Sequence, residues 1–271
     1  MIYVSSTNRK LTEKYIDWAV AGLPNCKKLS PLEIITKNDC TKAVLLGLLR
    51  GTHLVYRWAE KNNIDFYYID RPYWGETRNH PYYMKIVKNN FLKNWQEERP
   101  DDRFKKSFPW PIKPWKKDGR NIIVCPPSNA IKEFCGVHDW LEKTLKTLKE
   151  NTDRPIIVKT KGYNPLIGVD EHGGYVVKGK DNQKPSGPID WNEAYAIVTY
   201  NSNITLEATT RGIPCFTDSH NACAPISETD FTKIETPKYA DREPLYHSMA
   251  YGQFTAEEMR NGYAWRILNE S

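Results

Sequence analysis

The residues best suited to chemistry lie between 194 and 216, where the chain reads AYAIVTYNSNITLEATTRGIPCF. An apolar run over 194–200 breaks at Asn201-Ser202-Asn203 and restarts as a helix-like run with Glu207 one turn in. Hydroxyl and amide donors at a helix start, where free N–H groups carry a partial charge of about +0.5, suit a phosphate. A carboxylate one turn on suits a ribose diol, as in other nucleotide sites. Lys159 and Lys161, leaving the strand-like IIVKTK, could neutralise a diphosphate or a sugar carboxylate. Ser128, closing the turn after NIIVCPP, adds a further hydroxyl on this donor side. The plainer alternative makes Ser202 an N-cap and Glu207 a solvated helix residue.

Two residues could take a proton from an attacking hydroxyl. Asp70 follows the strand-like DFYYI of 65–69, and His53 opens a helix-like run over 53–62 with Thr52 as its cap. Asp70 is the first choice for base and His53 the second, with Glu76 as a fallback. Asp70 could instead only pair with Arg71, and His53 only cap its helix. The cysteines (Cys26, Cys40, Cys125, Cys135, Cys215, Cys223) form no CxxC pair and the histidines no HExxH, so reduced thiols and no metal site are expected.

Residues 78–120 carry twelve Lys/Arg against five Asp/Glu, interleaved with aromatics such as Trp95, Phe104, Phe108, Trp110 and Trp115. Cations alternating with rings suit a polyanion whose bases can stack. Arg71, Tyr73, Lys105, Lys106 and Trp110 are therefore the candidate acceptor-side residues, with DNA as a candidate partner. A solvated linker whose aromatics tuck against its neighbours is an equal alternative.

These groups need a frame, and strand-like and helix-like segments alternate, which argues for α/β with mainly parallel sheets. A strand at 2–5, a helix at 11–21, an apolar run at 43–49 and the strand at 65–69 make an N-terminal half over 1–77. The proline-rich 78–120, with FPWPIKPW, reads as a connector without regular structure. From 121 a second α/β unit begins, with a helix at 138–151, a loop-like 163–188 holding one short strand at 174–178, and a short helix from Asp190. It ends at 271. In open α/β sheets ligands collect where strand C-termini meet helix N-termini, which selects the turns at 51–53, 70–71, 125–128 and 201–203.

The stretch VTYNSNITLEATTRGIPCF resembles the nucleotide-sugar motif in the C-terminal domain of GT-B glycosyltransferases, especially those of capsule-polysaccharide, Kdo-transferase-like type. In that family a strand ends in an Asn/Ser turn, a Glu-Ala pair starts the helix, and Gly-x-Pro precedes the next strand. Asn201, Ser202, Glu207-Ala208 and Gly212-Ile213-Pro214 match it. The tail LYHSMAYGQFTAEEMRNGYAW, 245–265, resembles the closing helices of related small proteins of bacteria and bacteriophages. The resemblance covers mainly 121–265, and the family's fuller sugar-binding signatures are absent.

It implies two Rossmann-like domains facing a cleft, with the donor on 121–271 (closing helices 245–268) and the acceptor on 1–77. It also implies a nucleotide-sugar co-substrate, a UDP-sugar among the candidates, and no other cofactor. Joined to the basic segment, the expected reaction is sugar transfer to a hydroxymethylated pyrimidine in DNA. The alternatives are transfer to a surface polysaccharide, or a nucleotide- or DNA-binding protein without catalysis.

The 271 residues, 39% hydrophobic and 27% charged, are ordinary for a globular chain. With no apolar run near ~20 residues and no signal-like start, membrane insertion is not expected. A cytoplasmic protein is, in the host's cytoplasm if a bacteriophage encodes it.

Overall fold

A computed structural model describes residues 1–75, 82–90, 98–162, 164–180 and 184–270. Glu76, Arg78, Lys93 and Trp95 lie outside the described residues. In chain order the elements begin β1 (Ile2–Ser5), α1 (Lys10–Gly22), β2 (Cys26–Leu29), α2 (Pro31–Ile34), β3 (Lys42–Leu46), α3 (Thr52–Lys61) and β4 (Asp65–Asp70). There follow β5 (Tyr83–Lys88), α4 (Asp102–Ser107), β6 (Asn121–Cys125), α5 (Asn129–Cys135), α6 (Trp140–Asn151), β7 (Ile156–Val158), β8 (Pro165–Val169) and β9 (Tyr175–Lys180). Last come β10 (Ala194–Thr199), α7 (Ile204–Thr210), β11 (Cys215–Thr217), α8 (Glu243–Ala250), β12 (Gln253–Thr255), α9 (Ala256–Arg260) and α10 (Tyr263–Asn269). Two compact units result, one of Met1–Pro109, Gly168–Val176 and His247–Ser271, the other of Trp110–Ile167 and Val177–Tyr246.

The first unit holds a six-stranded sheet in the order β12-β5-β4-β3-β1-β2. Strands β2, β1, β3 and β4 are parallel, and β5 and β12 join antiparallel. Strands buried on both faces read as continuous apolar runs, as Ala43-Val44-Leu45 and Phe66–Ile69 do. Val4, Val44, Tyr67, Ile69, Met84, Ile86, Phe254 and Trp265 share one core cluster.

Two sequence expectations change here. The connector is not free of regular structure, since β5 and α4 fall inside 78–120 and β5 is an interior strand. The closing segment adds β12, α9 and α10 to this first unit instead of completing the C-terminal one. Gly22 is one reason: a side chain there would run into the Met259 carbonyl and the Trp265 indole, so glycine lets α1 lie against the closing helices.

The second unit holds an all-parallel sheet, β11-β10-β6-β7. Ile122, Val124, Ala196, Val198 and Phe216 pack on one side of it, and Ile123, Ile197, Ala208 and Ile213 on the other. The stretch from Trp110 is a strap tied by main-chain bonds, Lys113 N to Thr210 O at 2.9 Å and Lys116 N to Gly212 O at 2.6 Å. Gly212, at φ +80°, has no room for a Cβ because Pro114 O sits there. The helix expected from Asp190 is only a turn, and the loop-like 163–188 contains the paired strands β8 and β9.

Candidate functional site

In the second unit the chain leaves β6 for β7 on one side, then returns to place β10 and β11 on the other. The order therefore reverses between β6 and β10, and a ligand crevice in such a sheet lies outside the carboxyl ends of those strands. Cys125, Thr199 and Thr217 stand in register at that edge. Thr199 Oγ1 ties two of the strands by donating to Cys125 O at 2.6 Å.

Ser128 and Asn201-Ser202-Asn203 occupy the two loops flanking the reversal. Ser128 is the N-cap of α5 by backbone conformation, but its side chain makes no cap bond. Ser202 is committed locally, Oγ accepting from Ile204 N at 3.3 Å and its carbonyl accepting from the Thr205 hydroxyl at 3.0 Å. Helix α7 is only seven residues long, so its dipole is a weak anion attractor and the loop side chains matter more. Glu207 is not idle either, its Oε1 accepting from Arg211 Nη2 at 3.0 Å with both side chains about two-fifths exposed.

Lys159 donates to the carbonyls of Gly187 and Pro188 at 3.0 and 2.9 Å, fixing the loop beside it. Lys161 is exposed. Burial pushes the Cys125 thiol up to about 11, and the charges of Lys161 and Lys159 pull the other way. Both ammonium groups thus project positive potential onto the end of β6.

The sequence reading missed a dyad at the end of β11. Asp218 Oδ1 accepts from His220 Nδ1 at 2.7 Å and from His220 N at 3.0 Å. Asn221, buried next to it, accepts from Thr205 Oγ1 at 3.2 Å and from Cys223 N at 2.8 Å, which anchors this loop to the first turn of α7. An Asp two residues before a His, just past a strand, is the signal that could have found it.

In the first unit Asp70 ends β4, its side chain 39% exposed. Oδ1 accepts from Arg71 N at 2.8 Å and Oδ2 from Tyr68 OH at 3.2 Å, so the carboxylate is oriented from two sides. Lys85 Nζ lies 4.0 Å from Oδ2. Arg71 is exposed, but Tyr73 is buried, its N–H donating to Gln253 Oε1 at 2.9 Å. That places Tyr73 in the fold's interior rather than on an acceptor surface.

His53 is buried as well, with Nε2 3.1 Å from the Gly173 carbonyl. Thr52 does not cap α3 with its side chain: Gly51 is the N-cap, and the Thr52 hydroxyl donates back to Gly47 O and Leu49 O.

The basic segment is absorbed into structure only in part, since Lys105, Lys113, Lys117 and Arg120 stay exposed. Lys105 pairs with Asp101 at 2.6 Å, while Lys106 and Trp110 remain exposed. Arg103 pairs with Glu258, and Lys85 is buried. Trp74, Phe108 and Phe104 pack ring on ring, and Trp115 Nε1 donates to Ala240 O at 2.9 Å.

No protein-family model and no curated protein matches the chain. Solved structures do. A Thermosulfurimonas dismutans KpsC, titled beta Kdo 2,4 transferase, aligns at TM-score 0.55 and 10% identity over 98% of this chain and 97% of its own. A second from the same organism, titled beta Kdo 2,7 transferase, aligns at TM-score 0.48 and 13% identity over 100% and 99%. The first likeness shows the fold, α/β of the GT-B type. Among the described residues no helix is long and apolar enough to cross a membrane.

Proposed function

We propose that the chain is a glycosyltransferase that moves a sugar from a nucleotide-sugar to a hydroxyl of a carbohydrate acceptor. The observation that carries this reading is the strand reversal between β6 and β10, with Ser128, Asn201, Ser202 and Asn203 on its two loops and the lysine field at Cys125 beside it. The GT-B-type fold, shared with a Kdo transferase along nearly the whole chain, supports it.

On this reading the second unit binds the donor. Lys161 faces the phosphate, the loop hydroxyl and amide groups complete its hydrogen bonds, and Glu207 exchanges Arg211 for the ribose diol. In the reaction the bond from the anomeric carbon to the phosphate oxygen breaks, with its electron pair leaving on the nucleotide. The acceptor oxygen bonds to that carbon and gives up its proton to Asp70. Asp70 is favoured over His53 because its carboxylate is partly exposed and held at a strand end, whereas the imidazole is sealed in.

A carbohydrate is favoured over a DNA base because, among the described residues, Phe104, Phe108 and Trp115 and the cations Lys85, Arg103 and Lys116 are used in packing. The DNA reading, a hydroxymethylated pyrimidine as acceptor, rests on Trp110 and the exposed cations Lys105, Lys106, Lys113, Lys117 and Arg120. A binder without turnover is the third outcome.

A thermal-shift screen of UDP-, GDP-, CMP- and dTDP-sugars, with nucleotide-activated Kdo among them, tests the donor half. At about 100-fold over its dissociation constant the right donor stabilises by ~2.7 kcal/mol. Transfer from that donor, and its loss by roughly 100-fold or more in Asp70→Asn with donor affinity kept, tests the chemistry. A panel in which no nucleotide-sugar shifts the melting point would refute the proposal.

A further inference from the structure

Lys85 was counted among the cations of a surface segment, yet it is 5% exposed in the middle of β5. The ladder sets it directly opposite Asp70 on one side and Gln253 on the other. Directly opposed residues of antiparallel strands share a face of the sheet, so Asp70, Lys85 and Gln253 form a row across three strands. The row runs from a partly exposed carboxylate, through a buried ammonium, to a buried amide.

A buried ammonium is costly unless an anion compensates it. Among the described residues Asp70 is the carboxylate within ion-pair reach of Lys85, at 4.0 Å. Gln253 cannot serve, because its Oε1 already accepts from Tyr73 N at 2.9 Å and Trp74 N at 3.3 Å. Its Nε2 is a buried donor with no hydrogen bond among the described residues. From the segment after β4, the Tyr73 ring stands 5.6 Å from Nζ, a weak cation–π contact. From β4 itself, the Tyr68 hydroxyl donates to the same carboxylate oxygen that faces Lys85.

We propose that Lys85 is the positioning residue of Asp70: the two form a charge-coupled pair in which the buried ammonium holds the carboxylate in place at the end of β4. The role in transfer rests on the reading of Asp70 given above; the pairing itself does not. Burial lowers the Lys85 pKa from its ordinary value, and Asp70 opposes that fall. If Asp70 takes a proton from an acceptor, Lys85 loses its counter-charge.

The test labels the whole protein with 13C-lysine and follows the Lys85 Cε resonance against pH, assigned by its absence in Lys85→Met. In Asp70→Asn the titration midpoint should move to lower pH by at least a full unit; an unchanged midpoint overturns the pairing. Asp70→Asn strands a buried ammonium and can fail to fold. Asp70→Asn/Lys85→Met removes both charges and should then recover a cooperative urea transition above that of the single variant. A double variant no more stable than Asp70→Asn also overturns the pairing.

With a donor and acceptor in hand, Lys85→Met should lower kcat at least 10-fold while the donor KM stays within about twofold. Unchanged kcat in Lys85→Met, with Asp70→Asn inactive, removes Lys85 from the reaction and leaves the proposed function standing. Full activity in Asp70→Asn instead removes Asp70 from the chemistry, and with it the transfer role of Lys85, whatever the resonance does.

Discussion

The imidazole of His53 lies flat on the ring of Tyr175, 3.7 Å between centroids and 3° between planes. Because Nε2 faces the Gly173 carbonyl, that nitrogen carries the proton and the neutral ring donates. A histidine at a helix start, read from sequence as a base, is thus the seat on which the β8–β9 turn rests.

This arrangement predicts a pH dependence of stability. Burial lowers the His53 pKa below its ordinary 6.5, with the Gly173 carbonyl opposing. The unfolded chain then binds more protons than the folded one between the two values. Stability from this group is complete above the unfolded value and falls as pH drops toward the folded one. Urea unfolding at about pH 7.5 and about pH 5.5 should show the lower midpoint in acid, and His53→Phe should lessen that difference. Equal differences in both proteins would remove His53 as the cause.

The Arg103–Glu258 pair carries a second prediction. Arg103 also donates to Ala250 O at 3.0 Å and Gln253 O at 2.9 Å, so one guanidinium ties α4 to β12 and α9. Arg103→Met leaves Glu258 half-buried and unpaired, and should cost roughly 3–5 kcal/mol in urea unfolding. A loss under about 1 kcal/mol would mark the pair as no better than a surface one.

The buried parallel strands were legible because burial on both faces writes them as unbroken apolar runs, as at Ala43–Leu45 and Ala194–Val198, whereas the edge strand β2, with Lys27 and Lys28 exposed, was not. Strand β5 was hidden by Lys85 and Lys88, since a charged residue inside a strand reads as surface. Strand β12 is three residues long and pairs with β5 from far along the chain, so no local pattern marks it. The strand–turn–helix at Asn201–Glu207 was readable from polar residues interrupting an apolar run. The burial of Tyr73 under the Gln253 amide was not, because that contact spans 180 residues.

Donor recognition yields a third prediction. Glu207→Ala should weaken nucleotide-sugar binding by roughly 1–3 kcal/mol in titration calorimetry, the loss of a charged hydrogen bond to the ribose. Arg211→Ala serves as its control, because it frees the carboxylate and should leave affinity equal or tighter. Unchanged affinity in a folded Glu207→Ala protein would take the residue out of the site.

The acceptor prediction turns on what four lysines do in the fold. Lys116 Nζ reaches the carbonyls of Trp191, Asn192 and Ala194, so Lys116→Glu should lower stability before it changes any binding. Lys105, paired with Asp101, and Lys117, 5.9 Å from the Tyr239 ring, can be reversed together with Lys106 at little cost to folding. If DNA tracked over these residues, binding would fall steeply with salt, about −0.9 in the log–log slope per phosphate neutralised, and the triple reversal would flatten that slope. A carbohydrate acceptor has no phosphate track, so transfer to a glycan at saturating donor should be unchanged by the triple reversal. The deciding assay offers a glycan, hydroxymethylated DNA and unmodified DNA with the donor found by thermal shift. Transfer to hydroxymethylated DNA that disappears in the triple reversal would overturn the carbohydrate reading and restore the nucleic-acid one.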